Sequence, residues 1–293
     1  MLKRALRRRQ RAEALAANLP PLLVEAERVA ATVAQGVHGR RRVGQGETFW
    51  QFRHYEPGDQ PQLIDWRQSA KSDQVFVREL EWEAAQSVWL WCDTSASMDW
   101  TSGNDHGSKR RRAELLTLAL VVLLVRGGER VALLGAGLPP ASGRGTVTRM
   151  ALQLEHLEAS ESSLPPNQTL PRFAQVVMLS DFLAPLGDID RSVRRLAESG
   201  VRGHLIQILD PAEESLPYEG RVLFQGLEGE DPWLLSRTES VRGDYQTRLQ
   251  RQFDGLDTIA RSIGWTYTRH RSDTSAQAVL LTLYAALTAN REF

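Results

Sequence analysis

"WLWCDTSASMDW", Trp89 to Trp100, decides the reading of this chain. It begins as a greasy strand and ends on one carboxylate and three small hydroxyls: Asp93, Thr94, Ser95 and Ser97. A strand buried on both faces reads as a continuous apolar run, and parallel sheets contain such strands. Ser and Asp placed just before a helix commonly cap it, satisfying free N–H groups. The other reading is that they hold something hard and positive.

Outward from this stretch the chain alternates. "GSKRRRAELLTLALVVLLVRGG" reads as a helix closed by Gly127-Gly128, "RVALLGAG" as a strand and "VTRMALQLEHL" as a helix. "AQVVMLSD" follows as a strand, "DIDRSVRRLAESG" as a helix and "GHLIQILD" as a strand. A long helix over 245–263, a strand "WTYTR" and a helix over 276–287 complete the pattern. Strands alternating with helices of this length imply crossover units and a mostly parallel α/β sheet. Three segments result. Residues 1–36 are a basic tail and a helix opened by Pro20-Pro21, residues 37–86 a small β-rich region with short strands at Phe49–Phe52, Leu63–Trp66 and Val75–Leu80, and residues 87–293 the α/β domain. A hairpin over 219–236 is a candidate to complete the β-rich region.

Composition narrows the function. With 36 basic and 36 acidic residues the net charge is zero, which argues against nucleic acid as the partner. One cysteine, Cys92, excludes an internal disulfide and a multi-thiolate zinc site. No G-x-x-x-x-G-K-[ST] loop is present, so the chain is not itself a P-loop ATPase. The longest apolar run, Leu115–Val125, is too short to span a bilayer, and no apolar segment follows the basic start, so a soluble, cytoplasmic protein is expected. The basic start, Lys3 to Arg11, reads as a solvated tail, with peripheral contact with acidic lipid as the sharper alternative.

In an open parallel sheet, ligands gather beyond the carboxyl ends of the strands. Asp93, Ser95 and Ser97 follow the first strand, Asp181 follows "VVMLS", and Thr146 stands before a helix between them. All five offer hard oxygen, which suits Mg2+ (or Mn2+) rather than zinc or copper. A phosphatase of the haloacid dehalogenase type also places an Asp after a central strand. It requires a second carboxylate two residues on, where this chain has Ser95.

"DTSASM" resembles the metal-ion-dependent adhesion site of von Willebrand factor A domains, whose signature is D-x-S-x-S, with Thr146 and Asp181 matching the ligands from two further loops. Upstream, Gly46-Glu47, Arg53-x-Tyr55, Gly58-Asp59, Ile64-Asp65-Trp66 and Arg78-Glu79 resemble bacterial domain-of-unknown-function family 58. That resemblance implies a von Willebrand factor A-like, Rossmann-like fold and a metal-dependent protein-binding module, not an enzyme. It also implies a partner: a MoxR-type AAA+ ATPase or its client, in chaperone-like maturation of other proteins. Arg53, Tyr55, Asp59, Asp65, Trp66, Arg78 and Glu79 read either as a bracing network or as a partner surface, since Trp, Tyr and Arg dominate binding hot spots. Trp89 and Trp91 are expected in the core, and Trp100 beside the site, open to a partner.

Overall fold

The structure is a computed structural model that describes residues 21–37, 49–55, 64–71, 74–80, 87–103, 107–227 and 231–289. Its centre is a five-stranded sheet of β3 (Ser87–Cys92), β4 (Arg130–Leu133), β5 (Gln175–Ser180), β6 (Arg202–Leu209) and β9 (Thr266–Arg271). The order is β4-β3-β5-β6-β9, and every pairing is parallel. Counted from β3, this is the 2-1-3-4-5 order of a doubly wound sheet. Its topological switch point lies between β3 and β5. The expected mostly parallel α/β architecture is therefore present.

Helices cover both faces because the strands are apolar on both. One layer holds α3 (Lys109–Arg126), α4 (Arg144–Glu155) and α8 (Ala276–Ala289). They pack on Val88, Leu90, Val177, Leu179, Ile206 and Ile208. The other layer holds α5 (Leu186–Glu198) and α7 (Arg242–Ser262), which pack on Trp89, Trp91, Val176, Met178 and Leu205. Alternate residues of β3 thus enter opposite cores, as the period of two requires. Trp89 and Trp91 are both buried, on one face.

α3 is buried from Leu115 to Leu124 with no polar face in that span. A helix apolar all round needs cover on all sides. The outer cover is α1 (Pro21–Val37), whose Leu23, Ala26, Val29, Ala30 and Val33 join the same core. Ala26 and Ala30 have no exposed surface. Ser108 caps α3 by accepting from Arg111 N at 3.3 Å, and Gly128 at φ 85° ends it. Among the described residues no helix is long and apolar enough to cross a membrane.

Outside the main sheet the structure corrects two expectations. The hairpin β7 (Val222–Phe224) and β8 (Trp233–Leu235) forms its own two-stranded sheet. Among the described residues it pairs with neither strand of the antiparallel pair β1 (Phe49–His54) and β2 (Phe76–Leu80). Ile64 makes only an isolated bridge, not a strand, because Asp65 caps a single-turn helix, α2 (Trp66–Ser69).

Two features of β6 give testable consequences. A Cβ on Gly203 would lie 2.2 Å from Trp265 Cε3, so the indole fills the space a side chain would need. Gly203→Ala should overpack this contact and cost roughly 1–3 kcal/mol, read by denaturant unfolding.

The adjacent His204 is buried, and burial pushes its pKa down to about 4; His270 on β9 is likewise held near about 4 by burial, with Arg112 adding to the effect. Both folded values lie below the ordinary histidine value of 6.5. The unfolded chain therefore takes up protons first as pH falls. Their stabilising contribution is complete above about pH 6.5 and is lost as pH drops toward 4. Unfolding measured at pH 7, 5.5 and 4.5 should show this decline, and His204→Asn should lessen it.

Candidate metal centre

At the carboxyl end of β3 the backbone makes one more sheet bond, Asp93 N to Leu179 O at 2.9 Å. That pins Asp93 beside the end of β5 with no solvent exposure. Its two oxygens are both used. Oδ1 accepts from Ser95 N at 2.8 Å, and Oδ2 accepts from Ser180 Oγ at 2.6 Å. Burial raises the Asp93 pKa, opposed by the hydrogen bonds from Ser180 and Ser95.

From this base the chain turns through a 3-10 segment, Ala96–Asp99. The turn sets Ser95 Oγ 3.2 Å from Ser97 Oγ, and Ser97 Oγ donates to Asp181 Oδ2 at 2.8 Å. Asp181 is buried at the end of β5, and its carbonyl accepts from Gln207 Nε2 at 2.7 Å. Gln207 in turn accepts from the Tyr267 hydroxyl. Phe182, the next residue, has φ 48°, a left-handed value that costs energy in a bulky side chain. Its N–H donates to Ser180 Oγ at 3.0 Å, so the hydroxyl that holds Asp93 also holds this turn.

Asp93, Ser95, Ser97 and Asp181 are therefore brought together at the switch point of the sheet. Thr146 is not joined to them. α4 starts at Arg144, so Thr146 sits inside its first turn rather than before it, and its hydroxyl donates to Ser142 O at 2.9 Å. Ser95 and Thr94 are instead braced from another loop: Ser160 N donates to Thr94 O at 3.1 Å, and Thr94 Oγ1 to Glu158 O at 3.0 Å.

Three charged residues at this edge escaped the sequence reading. Lys109, the first residue of α3, is 1% exposed. Its Nζ lies 2.9 Å from Asp181 Oδ2 and 2.5 Å from Glu213 Oε1. Burial alone would lower the lysine pKa, but the charges of Asp181 and Glu213 outweigh it and raise it. Burial raises the Glu213 pKa, with Lys109 opposing. Asp210, at the end of β6, caps α6 (Pro211–Ser215) in a capping box with Glu213. Its carboxylate also accepts from Ser102 N at 2.9 Å and from the Ser102 hydroxyl. The one available signal was "LDPAEE": an Asp after a strand, then Pro and a Glu three residues on, which is a capping-box pattern.

The donor set fits a hard divalent cation. Among the described residues no group of three or more His, Cys, Asp or Glu side chains is arranged to hold a metal. An ion at this edge would therefore need hydroxyl ligands; Ser97 stands beside Asp181, and Ser95 beside Ser97, to supply them. The Lys109 ammonium is already a stand-in cation on that carboxylate.

The remaining candidates lie apart in character. Trp100 is half-buried and follows the 3-10 turn, its N–H donating to Ser97 O at 3.4 Å. Asp65 is a helix cap, its Oδ1 accepting from Gln68 N at 2.9 Å. Trp66 is 68% exposed and Tyr55 38%, so of the two readings left open for Trp66 the exposure favours the surface over the bracing network. In the β1–β2 ladder Arg53 pairs with Val77, Arg78 with Phe52 and Glu79 with Gln51; their side chains, and the whole of Asp59, lie outside the described residues.

A family model described as a protein of unknown function, DUF58, matches residues 51–254. The chain belongs to the DUF58 family. Relatives of this DUF58 chain include uncharacterized proteins of Mycobacterium bovis and Mycobacterium tuberculosis. Each is 27% identical over 248 residues, covering 79% of this chain and 76% of theirs. Similar solved structures include a conserved hypothetical protein, BatB, from Bacteroides thetaiotaomicron, with a TM-score of 0.43 at 17% identity over 70% of this chain and 99% of that one. An aerotolerance-related membrane protein from Bacteroides fragilis has a TM-score of 0.44 at 16% identity over the same shares.

The Asp210 cap generates a prediction. Asp210→Ala frees the Ser102 loop and the first turn of α6 together. It should lower stability by roughly 1–3 kcal/mol. Hydrogen exchange should become faster at residues 100–103, while the core of β5 stays protected.

Proposed function

We propose that this DUF58 chain is a non-enzymatic binding module of the von Willebrand factor A-like type, whose switch-point site takes Mg2+ (or Mn2+) and then a carboxylate of a protein partner. The observation that carries this is the chain of contacts over Asp93 that runs from Ser95 Oγ to Ser97 Oγ at 3.2 Å and from Ser97 Oγ to Asp181 Oδ2 at 2.8 Å. Ser95, Ser97 and Asp181 would hold the ion, and Asp93 would set Ser95 and supply balancing charge. A bound divalent ion would supply positive charge and coordination positions for incoming oxygen. Two neutral hydroxyl ligands leave that charge partly uncompensated, which favours an acidic partner group.

The resemblance supports a MoxR-type AAA+ ATPase or its client as that partner, and an ATP-driven partner implies the cytoplasm. Trp66 and Tyr55, exposed aromatics in the family-specific region, suit a secondary contact surface. A binding role fits better than phosphoryl transfer by a haloacid dehalogenase mechanism. Asp93 is fully buried with both oxygens hydrogen-bonded, and position 95 carries a hydroxyl where that chemistry needs an acid or base.

Calorimetry with Mg2+ and with Mn2+ should show binding to the wild-type chain that Asp93→Ala and Ser97→Ala remove or weaken, with thermal unfolding confirming that each variant is folded. Co-purification of the ATPase should then fail with EDTA or Ser97→Ala. Equal metal binding by all three proteins would overturn the metal reading. A complex that survives both EDTA and Ser97→Ala would place the contact elsewhere.

A further inference from the structure

Resting on that metal reading, we infer that Lys109 is a built-in competitor for the cation at Asp181, and that Glu213 is the acceptor that keeps its ammonium when a divalent ion enters. The geometry is specific. Asp181 Oδ2 accepts at once from Ser97 Oγ at 2.8 Å and from Lys109 Nζ at 2.9 Å. A metal ion shared by Ser97 and Asp181 would approach this same oxygen. An ammonium and a divalent ion repel at such range, and the buried setting screens them little. One must leave, and only the lysine has a second place to go.

Glu213 provides that place. It already touches Nζ through Oε1, while its Oε2 accepts from Asp210 N at 2.8 Å. The capping box therefore fixes the carboxylate instead of leaving it to follow the lysine. The unbranched lysine stem allows a small swing from one carboxylate to the other. The neighbouring cation, Arg110, is engaged with Glu114 and the Leu157 carbonyl.

The charge balance differs between the two arrangements. Without a divalent ion, Lys109 neutralises part of the Asp181–Glu213 pair. With one, Asp93 and Asp181 offset its two charges, and Lys109 with Glu213 closes as a separate ion pair. Lys109 thus sets how much free cation the site needs before it fills. The partner-binding form would depend on cation concentration rather than being permanently loaded.

Calorimetric titration with Mg2+ tests this on four full-length proteins: wild type, Lys109→Met, Lys109→Arg and Glu213→Gln. Lys109→Met should bind Mg2+ tighter by about tenfold or more, since the competing charge is gone and Asp181 is left buried and unpaired. In EDTA its melting temperature should fall, and Mg2+ should raise it by more than it raises that of wild type. Lys109→Arg should stay as weak as wild type or weaker. Glu213→Gln should bind more weakly, because the ammonium loses its alternative partner and stays on Asp181. Lys109→Met binding Mg2+ no tighter than wild type, while wild type binds, would overturn the competitor and leave the metal reading intact. Absence of Mg2+ binding in all four would overturn both. Should Lys109→Met not fold, unchanged affinity in Glu213→Gln is sufficient to overturn the inference.

Discussion

A strand buried on both faces must pass its last polar groups to partners inside the protein, and β3 does so through Asp93. The carboxylate lies at the floor of the switch point with no solvent exposure. It is satisfied by Ser95 N from its own loop and by Ser180 Oγ from the neighbouring strand. An unpaired carboxylate there would be costly, since buried polar groups without partners lose several kcal/mol of hydration. The 3-10 turn after β3, the strained Phe182 and the end of β5 are all organised around that requirement. The Ser95 and Ser97 hydroxyls come together as a consequence.

Above this floor the constraint becomes one of charge. Asp181, Glu213 and Asp210 arrive from the ends of β5 and β6, and a sheet edge that gathers so many carboxylates needs a cation. Lys109 supplies one from the first residue of α3, a helix whose apolar body is locked between the sheet and α1. Packing and electrostatics are thus joined through one helix. The hydrophobic span from Leu115 to Leu124 holds α3 in place, and that placement brings its N-terminal lysine to Asp181.

Much of the fold was legible in local pattern. The run "SVWLWC" and the six-residue "QVVMLS" could only be buried strands, and "LLTLALVVLLV" could only be a helix covered all round. "LIDW" was misread as a strand because the apolar pair Leu63-Ile64 outweighed the capping signal of Asp65, whose carboxylate in fact starts a helical turn. The 219–236 segment is a hairpin, as its pattern reads, but among the described residues it pairs only within itself, since strand neighbours depend on long-range contacts that periodicity does not encode. At the site, donor type and strand-end position pointed to Asp93, Ser95, Ser97 and Asp181, which the fold gathers at one sheet edge. Thr146 differs, because a helix begun at Arg144 turns its hydroxyl onto the local backbone.

What the sequence determined by itself was the alternation of strand and helix, and the placing of hard oxygen donors after two buried strands, because both are written in neighbouring residues. Only the tertiary structure decided which charges meet those donors. Lys109 and Asp181 are 72 residues apart, Lys109 and Glu213 are 104, and Ser102 and Asp210 are 108. In the sequence Lys109 is one basic residue in "KRRR", alike in kind to the arginines beside it. Its burial, and with it the counter-charge of the site, follows from the strand order, which sets the ends of β3, β5 and β6 side by side beneath the start of α3.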